Sequence, residues 1–387
     1  RAGVELDNPM FNGREARHLD GIPDVLRQGL NDDQRQRAME LAHRYESLSL
    51  VDICREACRL DGENPGHSAE DAIRAAVSGS ALSAIFTANF SASLLVAYVD
   101  SPDTTQGWTS SEDVGDFKSN EKAAMGKFGP LTKHGRGATA QNMDTSDSYE
   151  SYKLGRYSGK FVVDEMDILD DRFGALDGET PRDIGLAAAQ VRPDLVYSLL
   201  LANPTLNADS IAVYHASHNN LGTSGTALAA ATLETAITGM GKQRIRNRPI
   251  NVRPRFLVTP HDLGFTAKKL LRSAERSEDG GDGTFNALRE VGITPVADDR
   301  VGVAGVTDPD TGTAYVGTAT NYFLFARPGE NGAKTIIVGY RRGTGRAPKI
   351  VRFMLGEGQW GVGWAIKHDI ASKYLDFRGT YKATGAA

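Results

Sequence analysis

The chain has 387 residues, 40% apolar and 24% charged, with a net charge of −5. This is the composition of a folded protein long enough for two or three domains, and it excludes disorder as the dominant state. The acidic balance argues against a protein whose main task is coating nucleic acid, and no apolar run approaches the roughly 18 residues of a membrane span, so no membrane partner is expected.

The opening residues do not read as a secretory signal. Cys54 and Cys58 are the two cysteines, too few for a disulfide framework or a four-ligand zinc site, and they read as reduced thiols one helical turn apart. The 42 glycines follow no fixed period, which excludes collagen and simple repeats and implies many tight turns. The first residue is Arg1 rather than methionine, as trimming or cleavage would leave it.

Residues 1–30 are polar and read as an extended arm, followed by a helix from about Asn31 to Tyr45. In 48–60, Leu50, Ile53, Cys54, Ala57 and Cys58 share a helical face, ended by Asp61-Gly62. Residues 69–86 read as another helix, and 93–99 as strand or buried helix. Residues 100–160 are polar and nearly free of apolar runs, which is odd inside a compact domain. Alternation returns from Tyr149 to Val163, so a long projecting hairpin is expected, packed on something else because a lone hairpin is marginal in water.

The strongest local signal lies at 180–204. Thr180 suits the N-cap, Pro181 the first helical position and Asp183 the third. Ile184, Ala188, Val191, Leu195, Leu199 and Ala202 follow at helical steps, Pro193 should kink the helix, and Asn203-Pro204 ends it. From 205 the pattern is mixed. Helices are expected at 228–243 and 262–275, a buried strand at 255–258, a polar acidic loop at 275–284, and strands at 321–327, 335–341, 349–355, 362–368 and 373–378.

The chain contains no G-x-S-x-G, P-loop or H-E-x-x-H motif. His215 and His218 are the best metal candidates but lack a carboxylate or cysteine nearby in sequence, and the ordinary reading is hydrogen-bonded imidazoles in a turn. Asp308 and Asp310 in DPDTGT suggest calcium, yet no downstream glutamate completes such a loop. No catalytic, metal or cofactor residue is therefore expected. The strip 242–255 has six basic residues and no acidic one, with Arg244, Arg246 and Arg248 on one face if extended. It offers nucleic-acid contact, docking on an acidic segment of a neighbouring copy such as 275–283, or a solvated loop; the lack of aromatic interleaving disfavours a single-strand platform. Arg341, Arg342, Arg346, Lys349 and Arg352 carry the same ambiguity.

Several segments in order carry a resemblance: Gly159 to Arg172, the helix from Pro181 to Asn203 ending RPDLVYSLLLANP, YHASHNNL at 214–221, ALAAATLETAI at 227–237, and GVGWAIKHDIASKYLDFRGTYK at 361–382. SLSLVDICREACRLDG at 47–62 looks like a fusion junction. Together they resemble tailed-phage major capsid proteins of the Mu-like head-subunit and prohead-protease–capsid fusion group. The resemblance implies an α+β Hong Kong 97-type capsid fold. It would divide into an arm (1–65), peripheral parts (66–99, 166–204 with a spine helix, 341–387), an extended loop (100–165) and an axial domain (205–340). It implies a non-enzymatic shell subunit without cofactor, assembled in the host cytoplasm into pentamers and hexamers of a virion. Portal, a cement protein, an upstream scaffold or protease portion removed by cleavage, and double-stranded DNA held without sequence readout would be partners. Residues expected between subunits are Lys127, Phe128, Leu131, Lys133, Tyr149, Tyr152, Tyr157, Arg244, Arg246 and Arg248. Lysine–asparagine crosslinks, known in some capsids of this fold, would involve Lys122, Lys127 or Lys133. The rivals are an encapsulin-like compartment and, behind it, a soluble α/β enzyme.

Overall fold

A computed structural model describes residues 50–68, 71–72, 75–76, 94–123, 131, 133, 135–137, 139, 149–164, 166, 179–245, 248–276, 284–343, 346–353, 355–356 and 361–385. Residues 1–49 of the expected arm, with the helix at 31–45, most of the helix at 69–86, and Lys127, Phe128 and Arg246 lie outside them.

In chain order the elements are α1 (Leu50–Asp61), α2 (94–100), β1 (Ser110–Val114), β2 (Asn120–Ala123), β3 (Tyr149–Tyr152), β4 (Gly155–Asp164) and α3 (Glu179–Ala202). Then come β5 (Leu221–Gly222), α4 (Ala230–Gly241), β6 (Arg244–Ile245), β7 (Arg248–Pro249), β8 (Pro254–Thr259), α5 (His261–Arg272), β9 (Glu275–Arg276), β10 (Thr284–Phe285) and α6 (Ala287–Val291). The chain closes with β11 (Thr294–Ala297), β12 (Val306–Thr307), β13 (Ala314–Tyr315), β14 (Tyr322–Ala326), β15 (Ile336–Arg341), β16 (Lys349–Phe353), β17 (Gly361–Tyr374) and β18 (Thr380–Ala383). The α+β class is as expected. Of the segment 93–99, the described residues 94–99 are helix, and the two strands expected at 362–368 and 373–378 are one long β17 followed by β18 after a turn.

The chain divides into two compact units, one drawn from residues up to Pro102, Arg156–Ala189 and Arg346–His368, the other from Asp103–Gly155, Gln190–Gly345 and Asp369–Ala387. In the first, β16 pairs antiparallel with the start of β17, Ile350 opposite Ile366. Leu94 and Ile366 form its core with Phe161, Ile184 and Ile350. Gly185 lets α3 approach α2 closely, since a Cβ there would stand 2.6 Å from the Leu94 carbonyl oxygen. Cys54 and Cys58 are buried thiols, Cys58 donating to the Ala72 carbonyl, and burial raises the Cys58 thiol above its usual pKa.

The second unit is built on a sheet in the order β11-β8-β14-β18-β5. The central β14, Tyr-Phe-Leu-Phe-Ala, is buried at every residue, the pattern of a strand covered on both faces. Leu233, Ala236 and Met240 of α4 and Ala267 and Leu271 of α5 pack into the core with Leu257 and Leu324. In this unit β15 also joins β1 in parallel and the end of β17 antiparallel.

Two expected boundaries change. β18 falls in the expected part 341–387, yet it pairs with β14 and β5 beside elements of 205–340. The extended loop is expected at 100–165, but β1 registers against β15, Ser110 opposite Ile337, and Trp108 is 1% exposed and stacks on Phe325 at 4.3 Å. This stretch looked loop-like because its anchor is a single indole rather than an apolar run.

The length and composition of α3 would suffice to cross a membrane. Its C-terminal half is instead a core helix of the second unit: Val196, Tyr197 and Leu200 are buried, and Arg192 is paired with Asp103. Asn203 ends the helix with φ of 48°, its side chain bonding both backbone groups of Tyr214.

Candidate assembly elements

Polar side chains hold the stretch 103–109. The Arg192 guanidinium, buried, donates to Asp103 and to the Thr109 hydroxyl at 2.8 Å. Asp103 accepts from the Thr105 N–H and hydroxyl, forming a tight turn. Thr104 donates to Asp298 at 2.7 Å and shares a 2.8 Å hydrogen bond with the Tyr197 hydroxyl, while the Trp108 indole donates to the Thr104 carbonyl. Arg300 ties Asp298 to Asp194, with Gln190 as a further acceptor. Burial holds the Tyr197 phenol protonated well above its usual range.

β2 and β3 form a two-stranded ribbon with Asn120 opposite Tyr152 and Lys122 opposite Glu150. Its inward face meets a small core of Val114, Tyr152, Leu154, Ile337, Ala371 and Leu375. Gly339 makes room: a Cβ there would lie 2.8 Å from the Tyr152 ring. Glu112 accepts from the Tyr152 hydroxyl and pairs with Lys122 at 2.9 Å. Glu150 is fully buried and faces Lys373 at 3.5 Å.

Of the residues expected between subunits, Leu131 is 83% and Tyr149 49% exposed, and Lys133 is exposed. Tyr157 is half-buried. Tyr152 is a correction: at 6% exposure it packs inside its own subunit, because strand alternation turns it to the face opposite Tyr149. Lys122, a crosslink candidate, is engaged by Glu112. The basic strip also differs from expectation. Arg244 and Arg248 are exposed, but they sit on the two arms of a hairpin, Ile245 opposite Arg248, so the strip is not one extended face. Arg341 pairs with Asp369 at 3.4 Å and lies over the Phe117 ring.

His218 is buried with Nε2 2.8 Å from Asp209 and Nδ1 3.0 Å from the Val213 carbonyl, its ring stacked 3.7 Å on Phe377. His215 bonds Ser217. The pair thus does the structural work of a turn, and the carboxylate missing from the local sequence arrives from Asp209. Asp308 caps its own turn through the Asp310 N–H and Thr311 hydroxyl. Gly356-Glu-Gly-Gln-Trp-Gly361 does carry G-x-G-x-x-G spacing, but it joins β16 to β17 rather than a strand to a helix, so the dinucleotide-binding context is absent. Among the described residues no group of three or more metal-ligating side chains is gathered.

Sequence reasoning missed Glu150, Arg192 and Trp108. The signal for Glu150 was its place in the alternation Glu150, Tyr152, Leu154, where two inward neighbours imply a third.

The model of a family described as phage capsid protein matches residues 148–383, about three fifths of the chain. The chain belongs to this phage capsid protein family, and it is accordingly a structural shell protein of a virion that associates with copies of itself. No curated protein matches it. Solved structures similar to it include the capsid of the cyanophage P-SCSP1u, with 13% identity, TM-score 0.46, and 71% of this chain and 85% of that one covered. A virus-like particle from Pyrococcus furiosus matches with 11% identity, TM-score 0.43 and coverage of 77% and 99%. The SrpI encapsulin complex from Synechococcus elongatus PCC 7942 matches with 9% identity, TM-score 0.43 and coverage of 72% and 85%.

Proposed function

We propose that this chain is the major capsid protein of a tailed phage, building an icosahedral head around double-stranded DNA on a Hong Kong 97-type plan. The observation that carries the reading is the family match over 148–383, a span that includes the whole β14 sheet, β15, β16 and β17, and the long helix α3. The mechanism is repeated self-association, with no bond made or broken. Interfaces of obligate assemblies run to thousands of Å², and the polar stretch around the β2–β3 ribbon, where Tyr149 and Leu131 are exposed, supplies surface for such contacts. We assign Leu131, Lys133, Tyr149, Tyr157, Arg244 and Arg248 to contacts between subunits, along with Lys127, Phe128 and Arg246.

Within this reading, the extended loop narrows to the segment between β1 and β3, and 205–340 forms the axial part together with β18. Assembly takes place in the host cytoplasm, with a portal, a cement protein and an upstream portion removed by cleavage as partners. DNA is a guest held without sequence readout. The net charge of −5 supports weak affinity of free subunits for duplex DNA, with Kd weaker than about 1 µM at physiological salt.

Electron microscopy of the purified protein tests the reading. Closed shells of uniform size are expected; a compact monomer that never forms a lattice at any concentration or salt would overturn it.

A further inference from the structure

The strand β3 reads Tyr149-Glu150-Ser151-Tyr152, with one aromatic on each parity. Side chains alternate between faces, so a slip by one residue exchanges inward Glu150 and Tyr152 for Tyr149 and Ser151. Either register buries one tyrosine. Within β3 the apolar pattern therefore leaves the register open, and only Leu154, beyond the end of the strand, favours the observed one.

Charge closes it. In the observed register Glu150 Oε1 accepts the Asn207 N–H at 2.5 Å, and Oε2, without a hydrogen bond of its own, faces the Lys373 ammonium at 3.5 Å. On the same face the Tyr152 hydroxyl reaches Glu112. A slip would turn Glu150 outward and leave both the Lys373 ammonium and the Asn207 N–H without their acceptor. A buried ion pair adds little net stability over apolar groups of similar volume, and its best-attested use is to fix a register.

We propose that Glu150 and Lys373 are the register pin of the β2–β3 ribbon, holding Tyr149 outward so that it is presented to a second copy of the chain. The outward half of this inference rests on the reading of the ribbon as an assembly element. In the slipped register Tyr149 is buried in its own subunit and Tyr152 takes the outer face.

The test replaces the pair by apolar groups of comparable size, Glu150→Leu with Lys373→Met, and maps tyrosine nitration by mass spectrometry on purified protein before assembly. In the unaltered protein Tyr149 reacts and Tyr152 is protected. In the double variant, Tyr152 modification is expected to rise from below about a tenth of that at Tyr149 to a comparable level, with the melting temperature nearly unchanged. Glu150→Gln keeps the shape and removes the charge, and is expected to shift the pattern the same way; it decides the matter should the double variant fail to fold. A pattern confined to Tyr149 in the folded variants would overturn the pin. Redistributed nitration together with uniform, normally sized shells would leave the pin standing and refute the assembly role of the ribbon.

Discussion

The sheet around β14 and the stretch 103–155 belong to the same compact unit, yet they are held in opposite ways. β14 is apolar at every position and buried on both faces, its neighbours supplying a continuous core. The described residues of 103–155 are polar along most of their length and, besides the pairing of β1 with β15 and the small core around Val114 and Leu154, are held by the Trp108 indole, the Arg192–Asp103 pair, and Glu150 with Tyr152. The first kind of region spreads its stability over many interchangeable contacts. The second relies on a few specific side-chain partners, each of which has no substitute nearby.

The largest effect should come from the indole. Trp108→Ala removes a fully buried ring stacked on Phe325 and is expected to cost about 3–5 kcal/mol, as much as Phe323→Ala in the middle of β14. Calorimetry of both variants checks this; a loss for Trp108→Ala below that of an ordinary surface substitution would break the comparison from the polar side.

Arg192→Met comes next. It leaves the Asp103 carboxylate, 11% exposed, facing no cation, at a cost of about 3 kcal/mol. Adding Asp103→Asn should recover most of that loss, because the uncompensated charge is gone. Failure of the double variant to recover would show that hydrogen-bond geometry rather than charge holds the turn.

The smallest effect per group is a pH dependence that touches both regions. Tyr197 on the polar side and Tyr214 and Tyr374 beside the sheet are protonated well above the usual phenol pKa, chiefly because burial disfavours the phenolate. The folded-state pKa is raised, so above the ordinary value of 10.0 the unfolded chain binds fewer protons than the folded one. Stability is therefore full below about pH 10 and falls as pH rises, by about 1.4 kcal/mol per pH unit for each tyrosine. Absorbance titration at alkaline pH should show these phenols ionising only as the protein unfolds.

The fold was legible wherever one strand or helix buries a regular stripe. β8, β14, β15, β16, α4, α5 and α3 fall within a few residues of where periodicity puts them, and the ordered motifs carried the family resemblance without any catalytic signature. Legibility failed where burial depends on a partner far away in sequence. Trp108 lies among Gly, Ser and Thr and is buried only because Phe325 and Tyr197 meet it. Arg244 and Arg248 looked like one extended face because nothing local announced the β6–β7 hairpin. Tyr149 and Tyr152 looked equivalent, and only the ribbon's register separates them.

By itself the amino-acid sequence determined the class of elements, the long capped helix and the absence of an apolar reason for 100–160 to fold alone. Those follow from local terms: periodicity, capping and turn chemistry act within a few residues. The tertiary structure alone decided which polar residues are pegs and which are surface. That choice depends on Arg192 meeting Asp103 and Glu150 meeting Lys373 across 89 and 223 positions of chain, and no local pattern encodes the partner that makes a buried charge tolerable.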